Sequence, residues 1–236
     1  MSVYCCADLH GMGKLWDQIK NFLKPEDKLY FLGDAVDRGP DGLRIAQEML
    51  EDERVIYLKG NHEEMLVEAM ENYLSDDFRP DAYFYTWIEN GGGITFNQIA
   101  ENGIKTSLLN KLDKLPSFAY YKNTDGVIIL LSHSGFTPYY TDDKLTFPEY
   151  EKDYIWDRKH FEQWGTSDYL DGLLVVHGHT PISYLKKYIL CIPGDEEGAF
   201  WYCNNHKVNL DTGCYWSKKT VLLDLDTFDE HIFEIS

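Results

Sequence analysis

Short apolar runs alternate with polar motifs over the first third of the chain. Three of these runs lie at 3–6, 29–32 and 55–58, and continuous apolar character is typical of strands buried on both faces. Between the runs, apolar residues recur at the spacing of amphipathic helices. Their positions are Met12, Leu15, Trp16, Ile19 and Phe22, then Leu43, Ala46, Met49 and Leu50, then Leu66, Ala69, Met70 and Tyr73. The pattern predicts a βαβαβα unit with parallel strands, in which Asp41 can cap the second helix.

The next segment has a different pattern. From about Ser75 to Leu115 the strand patterning disappears, and the segment from Trp87 to Asn90, followed by three glycines, is typical of a helix end. We therefore predict a small helical cap over about residues 75–115. It would be an insertion in a single domain that spans residues 1–236.

Beyond Phe118 the chain turns to short β-rich segments separated by turns. Two apolar runs come first, at 127–131 and 173–176, and further strands are predicted at 184–190, 201–203, 208–210, 221–225 and 232–235. Strand-rich segments after a βαβ unit favour a second sheet packed against the first. The expected fold class is therefore α/β (α+β), with two packed sheets and helices outside them.

Composition restricts the classes of partner. The 40 acidic and 22 basic residues give a net charge of -18, which repels a nucleic-acid polymer. No apolar run approaches the roughly 20 residues needed to cross a membrane, and no signal peptide is predicted. The 5 cysteines show no C-x-x-C spacing, which favours reduced, mostly buried thiols. We expect a soluble cytoplasmic protein that binds neither nucleic-acid polymers nor membranes.

Five apolar runs end directly at residue types that bind metals. The residues after the successive runs are Asp8 and His10, then Asp34, then Asn61, then His133, then His177 and His179. In α/β sheets, ligands bind beyond the carboxyl ends of the strands, so these side chains can meet in one place. Taken singly, each has an ordinary explanation, such as a helix cap or a strand-end histidine. Their coincidence at five strand ends favours a dinuclear metal site.

The chemistry of several of these residues fits metal binding. Asp8 and His10 point to the same side of the chain if their segment is extended, because side chains alternate with period two. Gly33 lets the backbone approach an ion, and the Asp34 carboxylate can bridge two cations. Asn61 offers a neutral amide oxygen as a ligand.

Other residues near the strand ends could take part in catalysis, although each could also have an ordinary structural role. Arg38 carries forked donors that can grip two phosphate oxygens, although with Asp37 it could also form a surface ion pair. His62 points away from its neighbour and could donate a proton, or could be an ordinary residue at a helix N-terminus. His177 and His179 flank a glycine, and at least one of them is expected to face the cluster.

Together these motifs resemble the metallophosphoesterase signature in its phosphoprotein-phosphatase branch. The matching segments are Asp8-Leu9-His10-Gly11, Gly33-Asp34-Ala35-Val36-Asp37-Arg38-Gly39, Gly60-Asn61-His62-Glu63, His133, Gly178-His179-Thr180-Pro181, Trp87 with Asn90-Gly91-Gly92, and Asn209-Leu210-Asp211-Thr212-Gly213. The resemblance extends over nearly the whole chain. It implies a four-layer αββα sandwich in which two packed mixed sheets are flanked by helices.

The resemblance also implies a role for each site residue. It implies two divalent metal ions and no organic cofactor. The implied metal ligands are Asp8 and His10 on one ion, Asn61, His133 and His179 on the other, and Asp34 as the bridge. The implied catalytic residues are Arg38 and Arg158 as phosphate clamps, His62 as proton donor and Asp37 as the residue that orients it. No role is implied for His177.

The implied chemistry is phosphoester hydrolysis. Two cations about 3.5–4 Å apart lower the pKa of a bridging water and stabilise an in-line displacement at phosphorus. We expect hydrolysis of phosphate monoesters by direct attack of a metal-bridging hydroxide, first of all on phosphoserine and phosphothreonine in proteins, with small phosphoesters accepted as well. Manganese is the expected metal, and iron or zinc also suits the ligands.

Two alternative functions stay open at this point. The first is a symmetrical bis(5'-nucleosyl)-tetraphosphatase, whose second motif usually has Asn or Ala where this chain has Asp37. The second is a noncatalytic module that recognises phosphate, against which the complete ligand set argues. The oligomeric state and the physiological substrate are not predicted.

Overall fold

The computed structural model describes residues 1–75, 77–141, 144–162, 170, 172–186 and 198–236. Short strands dominate the second half of the chain and alternate with helices in the first. The strands are β1 (Val3–Cys6), β2 (Lys28–Phe31), β3 (Val55–Tyr57), β4 (Phe118–Lys122), β5 (Ile128–Ser132), β6 (Tyr139–Thr141), β7 (Lys144–Thr146), β8 (Leu173–His177), β9 (Phe200–Tyr202), β10 (Lys207–Asn209), β11 (Lys219–Asp224) and β12 (Glu230–Glu234).

The strands form two five-stranded mixed sheets and a short hairpin of β6 and β7. The first sheet has the order β12-β11-β1-β2-β3, and the second has the order β4-β5-β8-β10-β9. In the first sheet, β1, β2 and β3 run parallel. In the second, β5, β8 and β10 run parallel. Each sheet therefore presents the carboxyl ends of three neighbouring strands along one edge.

Helices cover the outer faces of the sheets. The described helices are α1 (Gly13–Phe22), α2 (Gly42–Glu51), α3 (Asn61–Tyr73), α4 (Ala82–Trp87), α5 (Gly93–Asn102), α6 (Thr106–Asp113), α7 (Lys159–Glu162), α8 (Ile182–Lys186) and α9 (Cys214–Ser217). A π-helical turn at Ile88–Gly92 joins α4 to α5, and a 3₁₀ turn covers Glu151–Tyr154.

The alternation of side chains along the strands creates the layers. In β1, Val3 and Cys5 pack into the core between the two sheets, whereas Tyr4 and Cys6 pack against helices. The same alternation occurs in β5, where Leu130 faces an outer core that includes the Tyr154 side chain. Successive side chains of a strand point to opposite faces, so each sheet is apolar on both sides. The order helix, sheet, sheet, helix confirms the predicted αββα sandwich.

The segment predicted as a cap contains helices and no strand among its described residues. Helices α4, α5 and α6 supply Phe84, Trp87, Ile99 and Leu109 to the same core that α1, α2 and α3 form on the first sheet. Gly91 has a φ of 106° inside the turn between α4 and α5. A residue without Cβ is required there, which explains why the glycine run ends the first helix.

Two local predictions are wrong. Residues 184–186 lie in α8 instead of a strand, because the carbonyl of Pro181, just before the helix, accepts a hydrogen bond from Tyr184 N at 2.8 Å and so closes a helical turn. Residues 187–190 lie outside the described part of the chain. Asp41 occupies the N-cap position of α2 but makes no side-chain capping bond. Its Oδ1 accepts a bond from Arg44 Nε at 3.4 Å instead.

Two further expectations concern cysteines and membranes. Cys5, Cys6, Cys203 and Cys214 are buried, as predicted, whereas Cys191 lies outside the described residues. Among the described helices, none has both the length and the apolar character needed to cross a membrane.

Candidate metal centre

The carboxyl ends of the parallel strands of both sheets meet at one end of the sandwich. Residues that follow β1, β2 and β3 there face residues that follow β5 and β8. The six side chains predicted as metal ligands all lie at this junction, and each is at most 8% exposed: Asp8, His10, Asp34, Asn61, His133 and His179. Each sheet contributes part of the cluster, so the cluster forms only when the sheets pack together.

Asp34 lies at the centre of the cluster. Its Oδ2 atom is 3.4 Å from His133 Nε2 and 3.6 Å from His10 Nε2. Asp8 Oδ1 lies 4.0 Å from His10 Nε2. Two groups of potential ligand atoms can be drawn, one with Asp8, Asp34 and His133 and one with His10, Asp34 and His62. Asp34 belongs to both, which is the arrangement that a bridging carboxylate requires.

A second convergence involves Asn61, His133 and His179. Asn61 Oδ1 lies 2.9 Å from His133 Nε2 and 2.9 Å from His179 Nδ1, and the two ring nitrogens are 3.1 Å apart. His133 Nδ1 donates to Leu32 O at 2.9 Å, so we assign its Nε2 as a bare acceptor. The amide oxygen is also an acceptor. Acceptor atoms this close repel one another unless a cation lies between them, so these residues fit a metal ion.

The electrostatics of the buried groups lead to the same conclusion. Burial raises the pKa of Asp34 to about 7 and, together with Asp211 and Asp34, also raises the pKa of Asp8. Burial lowers the pKa of His133 to about 3 and lowers that of His10 as well. The imidazoles of His10 and His133 are therefore neutral, as metal ligands must be, and the positive charge near Asp8 and Asp34, from Arg38 and His62, offsets the effect of burial only in part. Divalent cations would supply the remaining charge.

The backbone of the site is unusual. Asp8, His10, Asp34 and His179 all have φ between 39° and 72°, a region that residues with a Cβ rarely adopt. We had expected an extended segment after β1, but the positive φ angles show that it is not extended. Asp8 and His10 instead converge through left-handed backbone conformations. Such conformations concentrate at functional sites, where surrounding contacts hold them in place.

Glu63 is one of the contacts that hold this backbone. It is fully buried at the start of α3. Its Oε2 accepts hydrogen bonds from Asp34 N at 2.8 Å and from Gly60 N at 2.9 Å. Its Oε1 accepts hydrogen bonds from Ala35 N at 2.8 Å and from the Tyr57 hydroxyl at 2.9 Å. One carboxylate thus joins the loop after β2 to the loop after β3. This role was not predicted from the sequence, although Glu63 belongs to the third motif.

A histidine and an aspartate form a buried pair beside the cluster. His62 Nδ1 donates to Asp37 Oδ2 at 2.7 Å, and His62 Nε2 lies 3.1 Å from Arg38 Nη2 and 3.8 Å from Asp34 Oδ2. Burial alone would lower the pKa of His62, but Asp34 and Asp37 outweigh it and raise that pKa. His62 therefore faces the cluster instead of pointing elsewhere, and its second nitrogen lies between the Arg38 guanidinium and the Asp34 carboxylate.

The two predicted phosphate clamps share an open cleft next to the cluster. Arg38 and Arg158 both line it, together with His179, Tyr184 and Trp216. The Arg38 guanidinium carbon lies 5.5 Å from the centre of the Trp216 ring. Two cationic side chains thus face the same space beside the candidate metal ligands.

Comparison with known proteins identifies the family. Residues 1–210 match the family described as calcineurin-like phosphoesterases. The chain belongs to this family. Members of the metallophosphoesterase class are hydrolases that use divalent metal ions, which agrees with the donor set and with the predicted resemblance.

Proteins similar to this phosphoesterase differ from one another in the activity for which they are named. The asymmetrical bis(5'-nucleosyl)-tetraphosphatase of Oceanobacillus iheyensis is 21% identical over 240 residues, which cover 93% of this chain and 86% of that protein. A crystal structure provisionally identified as a diadenosine tetraphosphatase has a TM-score of 0.60 at 17% identity and covers 98% of this chain and 92% of its own. A serine/threonine phosphatase from Saccharomyces cerevisiae has a TM-score of 0.56 at 14% identity and covers 100% and 80%. The structural matches establish the fold alone.

Two further buried residues, His177 and Asp211, lie near the site of this phosphoesterase. His177 turns away from the cluster, and its Nε2 lies 2.6 Å from Tyr202 Oη on the outer face of the second sheet. Of the two histidines that flank Gly178, His179 is therefore the one that faces the cluster. Asp211 is a buried carboxylate whose pKa is raised to about 6 by burial, and it raises the pKa of Asp8. Asp211 belongs to the segment Asn209-Leu210-Asp211-Thr212-Gly213 that matches the family signature, but the sequence implied no role for it, and only the structure shows how close it lies to Asp8.

Proposed function

We propose that this protein hydrolyses phosphate monoesters, and that its principal substrates are phosphoserine and phosphothreonine in proteins. The observation that carries the proposal is the buried His62–Asp37 pair, whose nitrogen and oxygen are 2.7 Å apart beside Arg38. A general acid at this position assists departure of an alkoxide, which is the poor leaving group of a phosphoserine. We expect a cytoplasmic protein, which fits the buried thiols of Cys5, Cys6 and Cys214, none of which forms a disulfide.

We propose the division of metal ligands that the family resemblance implies, and the short distances among Asn61, His133 and His179 support it. Asp8 and His10 would hold one divalent cation, Asn61, His133 and His179 the other, and Asp34 would bridge them. When bound, such a pair supplies charge for water activation and for stabilisation of the transferring phosphoryl group. We propose manganese, because carboxylate, amide and imidazole donors all suit it, and iron or zinc would suit the same ligands.

The remaining residues act on the substrate. Arg38 and Arg158 line one cleft, and their guanidinium groups would grip phosphate oxygens and hold the ester in place. The two residues before Arg158 are anchored: Asp157 N donates to Ser134 Oγ at 2.9 Å, and Trp156 Nε1 donates to Glu64 Oε2. His62 would give a proton to the leaving oxygen, while Asp37 keeps its ring in orientation.

A side-by-side assay tests the substrate assignment. We expect metal-dependent turnover with kcat/KM for a phosphothreonine peptide above that for diadenosine tetraphosphate under the same metal conditions. A clear advantage for the dinucleotide would transfer the assignment to the second candidate below. Absence of turnover with manganese, iron and zinc on every ester would leave the noncatalytic phosphate-recognition module as the function.

The second candidate is hydrolysis of a bis(5'-nucleosyl)-tetraphosphate, as in the relative from Oceanobacillus iheyensis. The observation that favours it is the aromatic wall of the cleft, where Trp216 is 64% exposed and Tyr184 is 50% exposed beside Arg38. Exposed rings next to phosphate-binding groups can stack on a nucleobase. Trp216→Ala should then raise KM for diadenosine tetraphosphate and leave KM for a phosphopeptide unchanged. The products separate the two modes, because symmetrical cleavage gives two ADP and asymmetrical cleavage gives ATP and AMP.

A further inference from the structure

Asp37 is a fully buried carboxylate that accepts three side-chain hydrogen bonds. One comes from His62 Nδ1 at 2.7 Å. The other two come from helices α4 and α5, where Trp87 Nε1 donates to Oδ2 at 2.9 Å and Thr95 Oγ1 donates to Oδ1 at 2.7 Å. All four side chains are at most 2% exposed, so water does not replace these bonds. Both oxygens of the carboxylate are therefore fixed, and two of the three donors belong to the segment predicted as a cap.

The same segment also holds the backbone of Arg38. Arg38 N donates to Gly91 O at 3.0 Å. Gly91 has a φ of 106°, and a Cβ there would lie 2.6 Å from Arg38 Cγ. The turn between α4 and α5 therefore approaches Arg38 so closely that only glycine fits. It contacts the candidate phosphate clamp directly.

The Trp87 ring is itself held rigidly. A Cβ on Gly92 would overlap the indole ring, so the ring lies against the backbone of the turn. Phe84 and Phe96 pack edge-on against the ring, with centroids 6.0 and 6.3 Å away. An indole that is fixed on several sides presents its N–H group to Asp37 in one orientation.

We propose that Trp87 and Thr95 are positioning residues for the His62 proton donor, so that helices α4 and α5 form part of the catalytic apparatus. The inference rests on the proposed role of His62 as general acid. Asp37 holds His62 by a single bond, and without its other donors the carboxylate can rotate about its terminal torsion. The imidazole would then leave the orientation in which Nε2 faces the cleft, and proton donation would weaken while metal binding and phosphate binding persist.

The test compares esters that differ in their need for an acid. Trp87→Phe removes the N–H donor and keeps an aromatic ring, and Thr95→Val removes the hydroxyl at nearly constant volume. We expect each variant to lower kcat on an alkyl phosphate by about tenfold or more, a smaller loss than the roughly 10²- to 10⁴-fold effect of removing the general acid itself. Turnover of p-nitrophenyl phosphate should stay within about threefold, because its leaving group needs little protonation. Thr95→Ser keeps the hydroxyl and should restore alkyl phosphate turnover.

Two controls separate positioning from stability. Phe96→Leu alters the packing around Trp87 without touching Asp37, so it should lower the unfolding temperature and leave the ratio of the two rates unchanged. In a His62→Asn background, Trp87→Phe should not change that ratio further, because residues that act as a unit are not additive.

Each outcome decides a different claim. An equal loss on both esters in Trp87→Phe and Thr95→Val, with the ratio of rates unchanged, would overturn the positioning role and indicate a structural one. If His62→Asn itself lowers both rates equally, the general-acid role in the proposed function fails, independently of Trp87 and Thr95. A selective loss in all three variants, with rescue by Thr95→Ser, supports the inference.

Discussion

Asp34 connects the two halves of the candidate metal centre, because its Oδ2 lies within 3.8 Å of ring nitrogens from three histidines. We therefore predict that Asp34→Asn damages both metal sites at once, since a bridging carboxylate gives charge to each ion. Asn61→Ala should chiefly empty one site. Metal content per chain, measured on both variants after equilibration with manganese, checks this difference.

A variant distant from the site provides the control for that measurement. His231 lies on β12 at the edge of the first sheet, and His231→Gln should keep the metal content of the parent protein. Two tightly held ions and full activity in Asp34→Asn would contradict the bridging assignment.

The second residue-scale prediction concerns Glu63, which accepts hydrogen bonds from four backbone N–H groups and from the Tyr57 hydroxyl. In Glu63→Gln, one acceptor oxygen becomes an NH₂ group that faces other donors. Leaving buried donors unsatisfied costs roughly 1–3 kcal/mol. We expect the free energy of unfolding in urea to fall by about this amount, while Glu71→Gln, on the exposed side of the same helix, should change it by less than about 0.5 kcal/mol.

Residue types at strand ends could be predicted, whereas the direction of each side chain could not. His177 and His179 are equivalent by type and spacing, yet the φ of 72° at His179 turns only this residue toward the cluster. Trp87 and Thr95 lie 50 and 58 residues from Asp37 along the chain. No local periodicity connects them to it, so their contact depends on how the helical insertion packs.

At the scale of elements, Glu48 joins helix α2 to helix α1. Its carboxylate accepts hydrogen bonds from two side chains of α1, from Lys20 Nζ at 2.6 Å and from Trp16 Nε1 at 2.9 Å. The bond from Lys20, with those from Trp16 and Arg44, lowers the pKa of Glu48 to about 2 against the opposing effect of burial. A carboxylate with a lowered folded-state pKa stabilises the fold above its unfolded pKa of about 4.3, and this contribution disappears as the pH falls toward 2.

The resulting prediction is a pH-dependent effect of Glu48→Gln. The substitution should cost about 1–2 kcal/mol of unfolding free energy at pH 6, a value discounted for the partial exposure of the pair. The cost should shrink at pH 3 and approach zero near pH 2. Urea unfolding of both proteins at each pH measures it, and a cost that is constant over the range would exclude the ionic origin.

Helices and strands were predicted correctly where the apolar periodicity is strong. They were missed where tertiary contacts determine the local conformation. Helices α1, α2 and α3 follow their apolar stripes, and the central strands follow their apolar runs. Residues 184–186 have a strand-like composition, but Ile182 N donates to Asp211 O at 2.9 Å beside Pro181, and the chain starts a helix there. That contact joins segments nearly 30 residues apart and has no counterpart in the local sequence.

At the scale of the whole molecule, the candidate metal centre bridges the two sheets. Asp8, His10, Asp34 and Asn61 follow strands of the first sheet, whereas His133 and His179 follow strands of the second. Where the two sets of ligands meet, hydrogen-bond acceptors face each other, as Asn61 Oδ1 and His133 Nε2 do at 2.9 Å. Without a cation, the acceptor atoms of the two sheets therefore repel one another at this end of the sandwich. A cation bound between them would join the two sheets.

We therefore predict that removal of metal lowers the thermal stability of the whole domain and not only its activity. A ligand at 100 times its dissociation constant stabilises the native state by about 2.7 kcal/mol. For a chain of this size, each kcal/mol corresponds to about 2–4 °C, so EDTA should lower Tm by about 5–10 °C and manganese should restore it. Calorimetry of the parent protein and Asp34→Asn, each with EDTA and with manganese, provides the measurement. Because Asp34 contacts ligands from both sheets, the variant should lose most of the manganese-dependent increase. An equal increase in both proteins would show that the stabilising ion binds elsewhere.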